Sequence, residues 1–409
     1  MARCRNLCKV PRRAIGAILA LLLAACGTVG QHNSANIVTS SSSSNTLSRN
    51  VPVTTTTEIH SLPGRPAFDP QSVTFVSSSL GWAWGPGPEA ATVGPGPGLL
   101  AQTTNYGRTW AKVATPGISS KAIGTSNTQS EISGVRFINS KVGFLFGSVL
   151  YATTNGGASW NKISSPGPVY DIEAGSAGIY ALIESCTPSA SCPNAGLNLY
   201  RVTSNSFHFI HVGPTQELSL GSKLVAKGSS VYLLAQPLSG ASGNAQLWRS
   251  LNGSGWQSVP APCAWFGAAF GAIAAWSDTG LALVCGGQPS TGTQPKTAYS
   301  SVNAGSTWSK AMPIASKFGY VLSLAAANST TWILGEARGT MLVTHDGGQT
   351  WSNMQVTHPG GGAGEGWGFV GFTSSSEAVA VPWTLNGSAL AFSYNGARTW
   401  TMVAFPSGR

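Results

Sequence analysis

From about residue 68 to the C-terminus, apolar residues fall in short runs broken by Gly, Ser, Asn and Thr. VTFV at 73–76, VGFLF at 142–146, VYLLA at 231–235, LALV at 281–284, WIL at 332–334 and AVAV at 378–381 are examples. Short apolar runs bounded by turn residues read as β-strands. No stretch outside the N-terminus carries apolar residues at helical spacing. The turns between runs repeat one pattern. TTNYGRTW starts at 103, TTNGGASW at 153, SVNAGSTW at 301, THDGGQTW at 344 and SYNGARTW at 393.

The interval from 153 to 301 holds two worn copies, TSNSFHF from Thr203 and SLNGSGW from Ser250. The starts then differ by 50, 50, 47, 51, 43 and 49 residues, which makes seven units. Each unit reads strand, turn, strand, loop, strand, box, strand. In the second unit these strands are expected near 134–138, 142–146, 149–153 and 159–163. Four strands per unit, repeated radially, predict an all-β, seven-bladed β-propeller of four-stranded blades. An open solenoid, with repeats of about 20–45 residues and polar caps, is the structural rival.

The box has a physical reading. Asn105, Asn155, Asn252, Asn303, Asp346 and Asn395 can accept backbone N–H groups just downstream. Gly107, Gly157, Gly305 and Gly348 can take positive φ without a Cβ penalty. Ala397 stands at that place in the last unit, after Gly396, so that turn is expected to be strained or differently shaped. Thr103, Thr153, Ser301, Thr344 and Ser393 can bond across the turn. Trp110, Trp160, Trp256, Trp308, Trp351 and Trp400 open the fourth strand, where such a ring can bury roughly 150–250 Å².

These residues resemble the Asp-box, or BNR repeat, of sialidases and related propellers, with Asn in most copies and Asp only at Asp346. Asn keeps the acceptor oxygen and loses the charge. A turn role survives the exchange, while a metal or acid role weakens. The longer stretches VTFVSSSLGWAWG…LLAQTTNYGRTW and VRFINSKVGFLFG…LYATTNGGASW resemble the seven-bladed photosystem II stability/assembly factor family and its bacterial relatives. That resemblance implies a binding propeller without catalysis. The box is expected at the rim, so its residues are structural.

The N-terminus changes the domain picture. Arg3, Arg5, Lys9, Arg12 and Arg13 precede the apolar run AIGAILALLLAA, which ends in Leu23-Ala24-Ala25-Cys26. The run is shorter than the roughly 20 residues of a spanning helix. It resembles the lipobox of bacterial lipoproteins, which implies cleavage before Cys26, its lipidation and a lipid anchor in the cell envelope, outside the cytoplasm. Residues 1–25 are thus expected to be a lipoprotein signal peptide and 26–57 a lipidated N-terminus with a linker. Ser, Thr, Asn and Val dominate that linker, so it lacks the apolar content to fold. Residues 58–409 are expected to form the propeller. From Cys26 on, 18 Lys and Arg stand against 13 Asp and Glu, a net +5 without clustering, so no nucleic-acid footprint is expected.

Four cysteines remain, Cys186, Cys192, Cys263 and Cys285, and in an exported chain they favour disulfides. Cys186–Cys192 would close a short loop, and Cys263–Cys285 would join the two ends of a hairpin. No histidine lies near either pair, so no metal and no cofactor are expected.

Catalytic chemistry finds thin support. A sialidase needs an arginine cluster for a carboxylate. Arg65-Pro66 resembles the sialidase arginine-proline signature, although its flanks depart from it. Arg136 lies on a first strand where it can face the axis. Arg201, Arg249, Arg338 and Arg398 sit on later strands or turns. A glycoside hydrolase needs two carboxylates. Glu58, Asp69 and Glu89 precede the first box. Asp171, Glu173, Glu184, Asp278, Glu336 and Glu365 are interior candidates, of which Asp171 and Glu173 share one strand face. The expected channel mouth lacks paired acids. His208 and His211 are expected on opposite sides of a strand. Insertions at 85–98, 186–196, 237–245 and 286–296 fall at one place in the blade and crowd one face, whereas GGGAGEGWGF at 360–369 is expected on the other. The expectation is a membrane-anchored, extracytoplasmic binding or scaffold propeller for a protein or glycan, without catalysis. The alternative is a sialidase-like or glucan-active glycoside hydrolase.

Overall fold

The computed structural model describes residues 68–87, 96–120, 131–186, 196–203, 207–235, 243–253, 255–265, 271–338, 340–354, 356, 366–383 and 389–405. The leader, Cys26, the linker, Glu58, Arg65, Glu89, Cys192 and Glu365 lie outside them.

Seven four-stranded antiparallel blades follow one another along the chain. Blade one holds Ser72–Phe75, Gly81–Pro86, Gly96–Thr103 and Ala111–Val113. Blade two holds Ile132–Phe137, Gly143–Gly147, Leu150–Thr153 and Asn161–Ile163, within two residues of the expected bounds. Blade three runs through Val169–Gly175, Gly178–Glu184, Leu197–Val202 and Phe209–His211. Blade four has Lys223–Lys227, Ser230–Ala235, Gly243–Ser250 and Gln257–Trp265. Blade five has Gly271–Ala275, Leu281–Gly286, Lys296–Ser301 and Met312–Ile314. Blade six has Tyr320–Ala326, Trp332–Ala337, Met341–Thr344 and Ser352–Met354. Blade seven has Gly366–Phe372, Ala378–Trp383, Ala389–Ser393 and Thr401–Ala404. One further short strand, Ser119–Ser120, bridges blades one and two.

First strands of successive blades touch and form the innermost ring. Second strands are buried on both faces, because a neighbouring blade packs on each side. That is why GFLFG and LALVCG read as continuous apolar runs and not as alternation. The core is therefore divided among the blade interfaces. Trp82 stacks on Phe137 at 3.6 Å between blades one and two. Trp276 stacks on Trp332 at 6.0 Å between blades five and six.

The boxes are local clamps. Thr153 Oγ1 donates to Asn155 Oδ1 at 2.9 Å and accepts Gly157 N at 3.0 Å. Asn155 Oδ1 also accepts Ser159 N at 2.9 Å, and its Nδ2 donates to the Ser159 hydroxyl at 2.8 Å. The same set recurs at Asn105, Asn303 and Asn395. At Asp346 the polarity reverses, and the Thr350 hydroxyl donates to Oδ2 at 2.5 Å. Ala397 occupies the left-handed region at φ 65°, as expected of a strained turn. The worn copies keep a remnant: Phe207 and Asn252 have positive φ. Trp110 and Trp351 return Nε1 to the carbonyls of Gly107 and Gly348 at 3.0 and 3.1 Å. Trp160 reaches Ala114 O of blade one at 3.2 Å. Trp256 meets Tyr180 edge-on at 5.9 Å.

Among the described residues, the ring closes without an exchanged strand. Thr401–Ala404 pairs inside blade seven. Side chains join blade seven to blade one, with Phe68 edge-on to Phe405 at 4.7 Å and the Tyr394 hydroxyl donating to Tyr106 O at 3.1 Å. Gly107 sits at this seam, where a Cβ would collide with the Phe392 ring.

The disulfide Cys263–Cys285 forms, with a Cα separation of 5.2 Å. It does not join the ends of one hairpin. Cys263 is on the fourth strand of blade four and Cys285 on the second strand of blade five, so the bond staples two blades. The Cys186–Cys192 pairing falls outside the described residues.

Candidate functional site

Antiparallel pairing starts each first strand where its second strand ends. The blade-to-blade connections and the second-to-third loops therefore share one face, the loop face. The first-to-second turns and the boxes share the opposite turn face. Gly366, which opens blade seven, pairs with Trp383 at the end of its second strand. The described end of the glycine-rich stretch, 366–369, thus enters from the loop face and not from the opposite face expected for it. The boxes lie on the turn face at the outer strands, away from the inner ring.

The inner ring brings charged side chains together at one place. Arg136 is on the first strand of blade two, Asp171 and Glu173 on that of blade three, Lys223 on that of blade four. The Arg136 guanidinium reaches Glu173 Oε1 at 2.6 Å and Asp171 Oδ1 at 4.0 Å, and its Nε donates to Ile172 O at 2.8 Å. The side chains of Arg136, Asp171 and Glu173 keep 22, 29 and 20% of their surface accessible, although protein surrounds them. Burial pushes the Glu173 carboxyl up to about 7, Arg136 opposes the rise and Asp171 adds to it. Burial also raises Asp171, against the pull of Arg136 and Lys223. The Lys223 ammonium is lowered by burial and partly restored by Asp171. Proximity of opposite charges at this spacing lowers the cost of keeping all four in the ring.

Paired acids stand on the inner ring itself, within the first strand of blade three. Asp171 and Glu173 share one strand face as expected, and the partner that unites them is Arg136, from the neighbouring blade. Exposed apolar groups flank them on the loop side. Tyr170 is 38% and Leu220 46% exposed, and the Tyr170 hydroxyl donates to Leu220 O at 2.7 Å. Phe318 and Trp383, 58 and 44% exposed, lie on the same face over blades six and seven.

The other sequence candidates separate. Asp69 is buried before blade one, and burial raises its carboxyl to about 7. Glu184 ends a second strand on the loop face. Asp278 is on the turn face, where its carboxylate accepts Ser229 N at 2.6 Å. Arg249 donates to Ala304 O at 2.7 Å and Ser306 Oγ at 2.7 Å, tying blade four to the box of blade five. Arg201 reaches Ala177 O at 3.4 Å. Arg338 follows the second strand of blade six, and Arg398 lies in the last box. His211 packs edge-on to Tyr200, and His208 lies outside that strand, in the worn box. Only Arg136 among these described arginines belongs to the inner ring. Sequence reasoning passed over Lys296, the first residue of the third strand of blade five, which is fully buried against Glu336.

No protein-family model matches the chain, and no curated protein matches it. Among solved structures, YCF48 bound to D1 peptide superposes with a TM-score of 0.53 and 17% identity, covering 82% of this chain and 99% of that one. YCF48 from Cyanidioschyzon merolae gives a TM-score of 0.53 and 16% identity, covering 83% and 98%. A GH74 enzyme of Niastella koreensis gives 0.42 and 12%, covering 83% and 66%. At these identities the likeness is one of fold.

Proposed function

We propose that this chain is a membrane-anchored, extracytoplasmic binding or scaffold propeller that takes a peptide or protein segment on its loop face. The observation that carries the reading is the meeting of Arg136, Asp171, Glu173 and Lys223 from three blades beside exposed Tyr170 and Leu220. Charges of both signs next to apolar rings suit a peptide, which offers charged side chains, backbone polar groups and apolar groups together. YCF48, one of the proteins of similar fold, has been solved bound to a D1 peptide. Capture from native membranes tests the reading. Wild-type chain should retain a partner that Arg136→Ala and Asp171→Ala lose, and equal capture by all three would sink it. The anchor is tested separately by acyl labelling, which Cys26→Ser should abolish.

A glycoside hydrolase is the second reading, favoured by the two carboxylates on one guanidinium. Both approach the same nitrogen, so their spacing does not exceed the roughly 5–9.5 Å used by glycosidases. Against it, they project from one strand on the same side, whereas such pairs flank the scissile bond. Hydrolysis of a glucan or sialoside that Glu173→Gln abolishes would favour this second reading over the first.

A further inference from the structure

Charge is segregated across blades one to four. From residue 68 to 265 the acidic residues are Asp69, Glu89, Glu131, Asp171, Glu173, Glu184 and Glu217. All the described ones lie on first strands, at second-strand ends or in blade-to-blade connections, toward the loop face or the inner ring. The exposed cations of the same blades lie elsewhere. Arg108 is in a box, Lys141 in a first-to-second turn, Arg201 near the end of a third strand and Lys227 at the end of a first strand, all on the turn face. Lys112 and Lys162 occupy equivalent places, two residues after the box tryptophan, on the outer strands of blades one and two. Among the described residues Arg136 and Lys223 are the exceptions, and both face the acids of the inner ring, while Arg249 is tied to the box of blade five and Asp278 of blade five is the acid that reaches the turn face, at Ser229.

The turns hold this arrangement in one surface. Ser176 N donates to Gly228 O at 2.7 Å, Ser229 bonds Asp278, and Tyr394 bonds Tyr106, so successive turns are tied edge to edge. The Arg108 guanidinium lies 5.3 Å from the Tyr106 ring and 5.0 Å from the Tyr394 ring, which fixes its place at the seam. Lys121 lies outside the described residues.

We propose that this basic arc, Arg108, Lys112, Lys141, Lys162, Arg201 and Lys227, docks the turn face and rim of blades one to four on an anionic phospholipid bilayer. The cations are spread across a broad face and are not gathered in a groove. A spread array suits a planar sheet of negative headgroups, whereas nucleic acid asks for a clustered stripe. The exposed Tyr106 ring, 37% accessible within the arc, suits the polar–apolar boundary of a bilayer. Such docking would turn the loop face away from the membrane. It does not depend on a lipid at Cys26.

The test uses the full chain carrying Cys26→Ser and vesicles of phosphatidylcholine with or without phosphatidylglycerol. The protein should prefer the anionic vesicles, and salt should weaken that preference. Each lysine near an anionic surface changes partitioning about fivefold. Lys141→Glu with Lys162→Glu should therefore lower partitioning by on the order of 25-fold or more. Lys317→Glu with Arg338→Glu, of equal charge change but at the loop face of other blades, should leave most of it. Circular dichroism and the unfolding midpoint verify that both variants fold. Equal losses in the two variants would overturn the proposal, since net charge alone would then act. Tight binding to heparin or duplex DNA without preference for anionic vesicles would overturn it too, and would make another polyanion the partner.

Discussion

Lys296 Nζ of blade five lies 2.7 Å from Glu336 Oε1 of blade six, and both side chains are fully buried. The ammonium also donates to Ser316 O at 3.1 Å and Phe318 O at 2.8 Å, while among the described residues the carboxylate finds no second partner. Removing one member strands the other charge in the interior. Lys296→Met should lower stability by about 3–5 kcal/mol at a pH where Glu336 is ionised. Lys296→Met with Glu336→Leu should regain most of that in urea unfolding. A double variant no better than the single one would show that the pair is not the cause.

The same carboxyl makes stability depend on pH. Burial raises Glu336 from 4.5 to about 7, against the pull of Lys296. The folded protein therefore holds this proton more tightly than the unfolded chain. Its contribution is fully present below pH 4.5 and is lost as the pH rises through about 7. Glu336→Gln stays neutral throughout. Relative to wild type, its urea midpoint should improve between about pH 5 and about pH 8. A constant difference across that range would refute the assignment.

Ala397 holds a left-handed conformation, φ 65°, that costs an alanine about 1 kcal/mol and a glycine little. Ala397→Gly should therefore raise the unfolding midpoint modestly. Asn155→Ala should cost about 1–2 kcal/mol, because the Ser159 N–H and the Thr153 hydroxyl lose their acceptor. Asp346→Asn should be nearly neutral, since Asn fills the same place in four other boxes.

The staple between blades four and five spans 22 residues of chain. A closed loop of that size is worth about 3 kcal/mol by chain entropy. Cys263→Ala with Cys285→Ala should lower stability by about that amount in non-reducing conditions, and reductant should then have no further effect through this bond.

Much of the architecture was legible along the chain. Box hydrogen bonds join residues two to four apart, so Asn155 with Thr153 and Ser159 can be read in one octapeptide. Central strands packed by two blades demand unbroken apolar runs, so GFLFG announced its place as well. Those local demands recur once per blade, and counting them yields seven four-stranded blades. What the tertiary structure decided lies between blades. Arg136 meets Glu173 across 37 residues, and Lys296 meets Glu336 across a similar interval, because adjacent blades set similar strand positions side by side. Cys263 met Cys285 across a blade boundary for the same reason. Such contacts depend on how one sheet face lies against the next, and no local pattern specifies that. The sequence by itself determined the repeat, its turns and the rim position of its boxes; blade-to-blade packing decided which charges share the inner ring and which face the outside.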